Sequence, residues 1–274
     1  MSRDLLFCLG GRDLEMSEIA RLVGAERGEE ALLDLGLSWR TAVASAYRGA
    51  IEAALAAGRT PVLVELRPDL PEDLLARCRL VDHHGDRAGA RRPTSLEQVF
   101  ALLALGPDRW TRRLALVAAN DRGWIPELRA IGATAEEIAR IRAEDRAAQG
   151  IGPAEEAAAE PALDAASRPL PDLLYVRLPH DRVAVVTDRL ALAAESDPPE
   201  VLVEGPGGWT FSGGGERALA LARAFPGGWW GGALPERGFW GTARGATRLD
   251  AILGVLARPE GPGRARPQGT SPAG

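Results

Sequence analysis

The chain has 274 residues, of which 46% are hydrophobic and 26% charged, a composition typical of a folded protein and not of a disordered or collagen-like one. All 33 basic residues are arginines, so the chain offers no lysine for Schiff-base chemistry or for a phosphate-binding loop. A net charge of −5 argues against a large basic face for duplex nucleic acid.

Membrane insertion and secretion are not expected from this sequence. No apolar run approaches the roughly 20 residues that a membrane span requires. The first strand-like run also follows Met1 too closely for a signal peptide. We therefore expect a cytoplasmic protein with no membrane partner.

Short apolar runs alternate with amphipathic stretches over residues 1–150, a pattern typical of strands separated by helices in a parallel sheet. Two capping boxes, Thr94 with Glu97 and Thr134 with Glu137, predict the starts of two helices. The predicted strands are Leu5–Leu9, Val62–Leu66, Leu80–Val81 and Leu114–Ala119. The fold class expected is α/β, with a parallel sheet covered by helices on both faces and a second, smaller α/β domain.

Composition changes along the chain predict its domain organisation. Residues 151–170 are rich in Ala, Glu and Pro, which favours a linker between a first domain over 1–150 and a smaller domain over 171–257. Residues 258–274 consist mostly of Pro, Gly, Arg and Ser, a composition that predicts a disordered tail.

The smaller domain begins with strand-like runs and continues into a glycine-rich segment. The predicted strands are Leu173–Leu178, Val183–Val186 and Val201–Val203. Gly213, Gly214 and Gly215 then form a predicted turn that opens a helix over Glu216–Phe225. Backbone N–H groups at a helix N-terminus bind anions, so these glycines are a candidate phosphate site, with a tight turn for packing as the alternative.

Acidic residues lie at or directly after the carboxyl ends of all four predicted strands of the first domain. In an open parallel sheet, ligands bind beyond the carboxyl ends of the strands, so these side chains should meet at one edge. Clustered carboxylates repel one another unless cations neutralise them, and an imidazole among them fits Mn²⁺ or a transition metal. The residues concerned are Asp13, Glu15, Glu65, Asp82, His83, His84 and Asp121. We expect a divalent metal site there; solvated histidines in a polar turn are the alternative.

The run Asp82-His83-His84 resembles the signature of the DHH phosphoesterases, which include RecJ-type exonucleases, oligoribonucleases and cyclic-dinucleotide phosphodiesterases. That resemblance implies one or two Mn²⁺ ions, with Mg²⁺ or another divalent ion as alternatives, that activate a water for attack on phosphorus. The ligands it implies are Asp13, Glu15, Glu65, Asp82, His83 and Asp121, with Asp82 and His84 as catalytic residues.

The sequence also departs from the DHH pattern. Leu9 stands where the family has a metal-binding histidine, and Glu216 stands where the accompanying C-terminal domain, which residues 171–257 resemble, has a substrate-contacting histidine. Arg87 and Arg122, close behind motif acids, are candidate phosphate ligands alongside the three glycines, or else surface arginines paired with acids.

The function expected is Mn²⁺-dependent hydrolysis of a phosphoester in a small nucleotide or short single-stranded oligonucleotide; duplex nucleic acid is not an expected partner. One alternative is a noncatalytic DHH-like protein that binds a phosphorylated ligand or a protein partner. Another is metal-dependent chemistry on something other than phosphate.

Overall fold

A computed structural model describes residues 5–38, 41–83, 92–194, 197–232 and 234–258. The candidate residues His84 and Arg87 and the predicted tail from 259 onward lie outside the described residues. The chain divides into two compact units, one up to Gly150 and one from Ile151. None of the described helices is long and apolar enough to cross a membrane.

The first unit contains a four-stranded parallel sheet in the order β2-β1-β3-β4. Its strands are β1 (Leu5–Leu9), β2 (Leu32–Leu33), β3 (Thr60–Val64) and β4 (Arg79–Val81). Its helices are α1 (Leu14–Arg27), α2 (Arg48–Ala56), α3 (Glu72–Leu75), α4 (Ser95–Leu102), α5 (Arg112–Ala130) and α6 (Ala135–Ala148). The predicted capping boxes are present at the starts of α4 and α6.

Both faces of this sheet are buried, as the alternation of side chains along β1 shows. Leu6 and Cys8 belong to a core that includes Ile51 of α2. Phe7 and Leu9 point to the opposite face and have no exposed surface. Apolar residues on both faces require helices on both faces, so the predicted α/β class with a helix-covered parallel sheet is confirmed.

The predicted strand Leu114–Ala119 is wrong, because this run lies inside α5. A short run that is apolar on every side has no period that separates a strand from a buried helix. The local signal that favours helix is Thr111, whose hydroxyl accepts a hydrogen bond from the Leu114 N–H at 3.4 Å. α5 is interrupted at Gly123 and Trp124, and Trp124 has a φ of 58°.

The second unit contains a six-stranded mixed sheet in the order β5-β6-β7-β8-β10-β9. Its strands are β5 (Ser167–Leu170), β6 (Leu173–Arg177), β7 (Glu200–Glu204), β8 (Gly208–Gly214), β9 (Trp229–Gly231) and β10 (Arg237–Ala243). Its helices are α7 (Pro153–Ala157), α8 (Ala159–Asp164), α9 (Ala184–Ala193), α10 (Gly215–Ala224) and α11 (Leu249–Leu256).

Two segments of the second unit differ from the expectation. Val183–Val186 lies at the start of α9 and is not a strand; four apolar residues in succession again carry no distinguishing period. The segment 151–170, interpreted as a linker, forms α7, α8 and the edge strand β5. Ile151 and Ala159 are buried in the core of this unit, which gives the segment its regular structure.

Candidate metal centre

The first acidic residues of the site are held at the start of α1. Asp13 is its N-cap, and Asp13 Oδ1 accepts a hydrogen bond from the Met16 N–H at 2.8 Å. Glu15 lies in the first turn of the same helix and has only 1% of its surface exposed. The strand-to-helix turn after β1 therefore buries two carboxylates next to the positive end of a helix dipole.

Glu65 follows β3 and takes a backbone conformation that is uncommon for a residue with a side chain, with φ at 50°. Its N–H bonds Val81 O at 2.8 Å, which keeps the ends of β3 and β4 together. Gly10 passes directly against it: a Cβ at Gly10 would lie 2.5 Å from the Glu65 carbonyl oxygen. Only glycine permits this approach, which brings the ends of β1 and β3 together.

His83 follows β4 and points into this group of acids. Its Nε2 contacts Asp121 Oδ2 of α5 and lies 3.3 Å from Glu65 Oε1 and 3.8 Å from Glu15 Oε2. The four residues each offer one ligand atom, and these atoms all lie within 4.8 Å of one another. They come from four different parts of the fold. Together they form a four-residue cluster that can hold a metal ion, called the cluster below.

Asp121 reaches the cluster from a helix and not from the end of a strand. The prediction that Asp121 belongs with the strand-end acids rested on the wrong strand at Leu114–Ala119. Asp121 nevertheless belongs to the cluster, because α5 places its carboxylate in contact with His83.

Burial and mutual repulsion dominate the electrostatics of the acids. Removal from water raises the pKa of Asp13 well above its usual range, and the neighbouring charges of Glu65 and Asp121 raise it further. Burial likewise raises the pKa of Glu15, although the nearby His83 opposes the shift. The raised pKa values mean that the negative charges of these carboxylates destabilise the folded protein. A bound cation would reduce this destabilisation.

The imidazole of His83 shows the complementary behaviour. Burial lowers its pKa, but the surrounding carboxylates of Asp121, Glu15 and Glu65 outweigh burial and raise the pKa to about 12. The carboxylates therefore stabilise a proton on Nε2, at the point where their negative charges converge. A divalent ion at that place would replace the proton and bind the same nitrogen.

The donor atoms themselves fit a metal. Glu15 Oε2 is buried, yet among the described residues it accepts no hydrogen bond. Buried polar atoms are otherwise nearly always paired. Carboxylate oxygens suit Mg²⁺ and Mn²⁺, and an added imidazole favours Mn²⁺ and other transition metals over Mg²⁺.

Residues at the start of α4 hold two of the cluster carboxylates in position. Ser95 Oγ donates to Glu65 Oε1 at 2.7 Å, and the Leu96 N–H donates to Glu15 Oε1 at 2.8 Å. The bond to Leu96 leaves Glu15 Oε2 toward His83, whereas Glu65 Oε1 accepts from Ser95 and itself lies 3.3 Å from His83 Nε2. Such outer contacts set ligand orientation and commonly change metal affinity by about 10–100-fold.

A buried polar network behind the cluster was not predicted from the sequence. Arg142 Nη1 donates to Asn120 Oδ1 and to Asp145 Oδ2, both at 2.7 Å, and Asp145 Oδ1 accepts from the Leu14 N–H at 3.1 Å. The one available signal was Asn120, the only asparagine of the chain, for which a role in orienting Asp121 or a turn were both open. In the structure Asn120 lies in α5 beside Asp121 and is held by Arg142, which agrees with the orienting role and not with a turn.

Two of the implied ligands lie outside the four-residue set. Asp13 is not one of the four, although the charges of Glu65 and Asp121 contribute to its raised pKa. Asp82 is half-buried, and its carbonyl oxygen accepts a hydrogen bond from Gln98 Nε2 at 3.2 Å. The geometry therefore joins His83, and not Asp82, to the acids of the set.

Two of the candidate phosphate ligands, Arg122 and Gly214, are engaged by carboxylates of the protein. Arg122 Nη2 lies 2.5 Å from Glu97 Oε2. Gly213 and Gly214 end β8, and Gly215 begins α10. The Gly214 N–H donates to Glu200 Oε1 at 2.8 Å, so a carboxylate lies at the predicted anion site.

No protein-family model and no curated protein matches this chain. Among solved structures, RecJ from Thermus thermophilus in complex with Mn²⁺ is 14% identical, with a TM-score of 0.49 over 93% of this chain and 52% of that chain. An exonuclease RecJ bound to manganese is also 14% identical, with a TM-score of 0.44 over 93% of this chain and 91% of that chain. The present chain thus spans about half the length of the first of these structures.

Proposed function

We propose that this protein is a metal-dependent phosphoesterase of the DHH type. The observation that carries the proposal is the convergence of Glu15, Glu65, His83 and Asp121, whose ligand atoms lie within 4.8 Å of one another. Three buried or half-buried carboxylates surround one imidazole, and a proton on that imidazole offsets only one of their charges, so a divalent ion would relieve more of their mutual repulsion.

The chemistry follows from the ligand set. When bound, a divalent ion at such a site lowers the pKa of a coordinated water and offsets charge on the phosphoryl oxygens. Glu15, Glu65, His83 and Asp121 would hold it, with Asp13 and Asp82 as further ligands. No side-chain nucleophile is needed. The contacts from Ser95 and the Leu96 N–H keep two of the carboxylates aimed at the ion.

Mn²⁺ is the proposed metal, as one ion or two, because the set mixes imidazole with oxygen ligands. The proposed substrate is a small nucleotide or a short single-stranded oligonucleotide. The supporting argument is the net charge of −5, since a long duplex would require a large basic face. Arg87 and Arg122, each close behind a motif acid, are proposed to bind the substrate phosphate, and His84 is proposed to donate a proton or to orient a ligand.

Mn²⁺ binding and turnover test this function together. Calorimetric titration should show Mn²⁺ binding by the unaltered chain and a loss on the order of 100-fold or more in His83→Ala and Glu65→Gln, since each variant removes a ligand. Asp73→Asn, at an exposed site on α3, is the matched control and should bind Mn²⁺ normally. Hydrolysis of mononucleotides and dinucleotides under added Mn²⁺ should disappear in the same two variants. Turnover that persists in His83→Ala would overturn the proposal.

One observation favours a second candidate, a noncatalytic relative that binds a phosphorylated ligand or a protein partner. Glu200 accepts the Gly214 N–H, and Glu216 lies in the first turn of the following helix, so acidic groups surround the segment where a phosphate is expected. Mn²⁺ and nucleotide binding without any turnover across the substrate panel would favour this candidate.

A further inference from the structure

A groove between α4 and α5 is lined by residues that adjoin the metal cluster along the chain. Its volume is about 670 Å³, within the range of about 300–1,000 Å³ that is usual for small-molecule sites. Phe100, Pro107 and Trp110 are apolar lining residues, and Arg122 and Glu127 are polar ones. This combination of ring surface and charged groups differs from the purely acidic metal cluster.

The groove and the cluster share the elements that build them. Arg122, which lines the groove, directly follows the cluster ligand Asp121 on α5. Glu97, another lining residue, directly follows Leu96, whose N–H holds Glu15. The same segments of α4 and α5 therefore position both the cluster and the groove.

The aromatic lining residues are held in a defined geometry. The rings of Phe100 and Trp110 lie 4.9 Å apart between centroids and make an angle of 86°, an edge-to-face pair. Both residues are only half-buried, so part of each ring faces the groove. A flat aromatic ligand can stack on such a ring regardless of its exact identity.

The guanidinium of Arg122, which also lines the groove, is held in position by two carboxylates. Its Nη2 lies 2.5 Å from Glu97 Oε2, and its Nη1 lies 3.6 Å from Glu127 Oε1. An arginine held by two carboxylates offers a flat cationic surface to an aromatic ring. The carboxylates themselves can accept hydrogen bonds from the N–H groups at the edge of a heterocycle.

We propose that this groove binds the nucleobase of a substrate whose phosphate lies at the metal centre. The inference rests on the proposed function and makes it more specific, because it gives the base of a nucleotide its own binding site. Phosphate esters without a base should bind more weakly, since they make no contact with the groove. Trp110, Phe100 and Arg122 are the residues that provide the preference.

The aromatic residues of the second unit are the rival location for a base. Trp240 has no exposed surface and packs in the core of that unit, so it is not available for stacking. Trp229 is half-buried and remains accessible. Trp229→Leu therefore serves as both a matched control and a test of the rival location.

Calorimetry on the full chain loaded with Mn²⁺ tests the proposal with adenosine monophosphate and ribose 5-phosphate, which share a phosphorylated sugar and differ in the base. The nucleotide should bind on the order of tenfold more tightly, the contribution of one base stacked on an aromatic side chain. Trp110→Leu should remove this difference, whereas Trp110→Phe and Trp229→Leu should retain most of it. Equal binding of the two ligands by the unaltered chain, or loss of the difference in Trp229→Leu alone, overturns the proposal.

Failure of the proposed function has a different signature. If Mn²⁺ and ribose 5-phosphate both fail to bind, the metal centre is not a phosphate site. Adenosine, which lacks phosphate, then reports on the groove alone. Binding of adenosine that depends on Trp110 supports the groove in that case, and absence of adenosine binding contradicts it.

Discussion

Arg142 Nη1 lies 2.7 Å from Asn120 Oδ1, so a buried arginine of α6 holds the residue that directly precedes Asp121 of the acidic cluster. The same nitrogen is 2.7 Å from Asp145 Oδ2, and Asp145 in turn accepts the N–H of Leu14, the first residue of α1. This network connects the two helices that carry acids of the metal centre.

The network predicts a difference between two arginines of α6. Arg142→Ala should lower the free energy of unfolding by about 3 kcal/mol, because it leaves a buried charge without its partner. Arg140→Ala should cost less than about 0.5 kcal/mol, as expected of an exposed helix pair. Arg140 is the matched control, since its side chain is 60% exposed and lies 3.9 Å from Glu144. Urea denaturation measures both, and equal losses would contradict the role of the network.

Gly10 should be essential for the geometry of the cluster. A methyl group there would lie 2.5 Å from the Glu65 carbonyl oxygen and 2.8 Å from that of Val64, so the ends of β1 and β3 must separate. Gly10→Ala should therefore weaken Mn²⁺ binding on the order of tenfold or more, as expected when ligands are displaced.

Gly49→Ala provides the control for this substitution. A Cβ at Gly49 meets nothing within 4 Å, and the residue lies in α2, where alanine is the better helix former. This variant should bind Mn²⁺ normally and unfold at the same or a slightly higher urea concentration. Normal Mn²⁺ affinity in Gly10→Ala would show that the close approach is not needed.

The hydroxyl of Ser95 should tune the metal centre without contacting the ion. Ser95→Ala removes the hydrogen bond to Glu65 Oε1 and should lower Mn²⁺ affinity by about 10–100-fold. Ser95→Thr keeps the hydroxyl and should restore most of the affinity. Ser45→Ala removes a similar bond, 2.6 Å to Asp69 Oδ2, at an exposed site in the same unit. That control should leave Mn²⁺ affinity unchanged in the same titration.

Stability in the absence of metal should fall as pH rises. Asp13 and Glu15 have a higher pKa in the folded protein than their ordinary values of 3.8 and 4.5, and the pKa of His83 rises from 6.5 to about 12. The folded state thus binds more protons than the unfolded state above about pH 4, and stability decreases with pH wherever this holds. Thermal unfolding in the presence of a chelator should show a lower Tm at about pH 8 than at about pH 5.5.

Mn²⁺ and one substitution should each reduce this pH dependence. His83 would give up its proton and the acids would be neutralised if Mn²⁺ bound there, so the stabilisation by Mn²⁺ should grow as pH rises. Glu15→Gln keeps the acceptor for the Leu96 N–H but removes a buried charge. This variant should unfold at a higher temperature than the unaltered chain near about pH 8 without metal, and gain less from Mn²⁺. A Tm that rises with pH in the metal-free chain would contradict the electrostatic account.

Local signals along the chain determined much of the first unit. The capping boxes at Thr94 and Thr134 define helix starts through bonds between residues three positions apart, so the sequence alone reveals them. Strands β1, β3 and β4 were recognisable as apolar runs, with ends that differ from the prediction by at most two residues. Leu114–Ala119 was not assignable, since an apolar run buried on every side has the same pattern in a helix as in a strand.

The sequence by itself supplied the acids and the histidine, whose chemistry is independent of the fold. Only the tertiary structure decided that His83 and Asp121 are in contact, that Asp82 lies outside the set of four, and that Arg142 holds the helices behind it. Those contacts join residues that are far apart along the chain. Nothing in the local sequence encodes them, because they depend on how the strands and helices pack together.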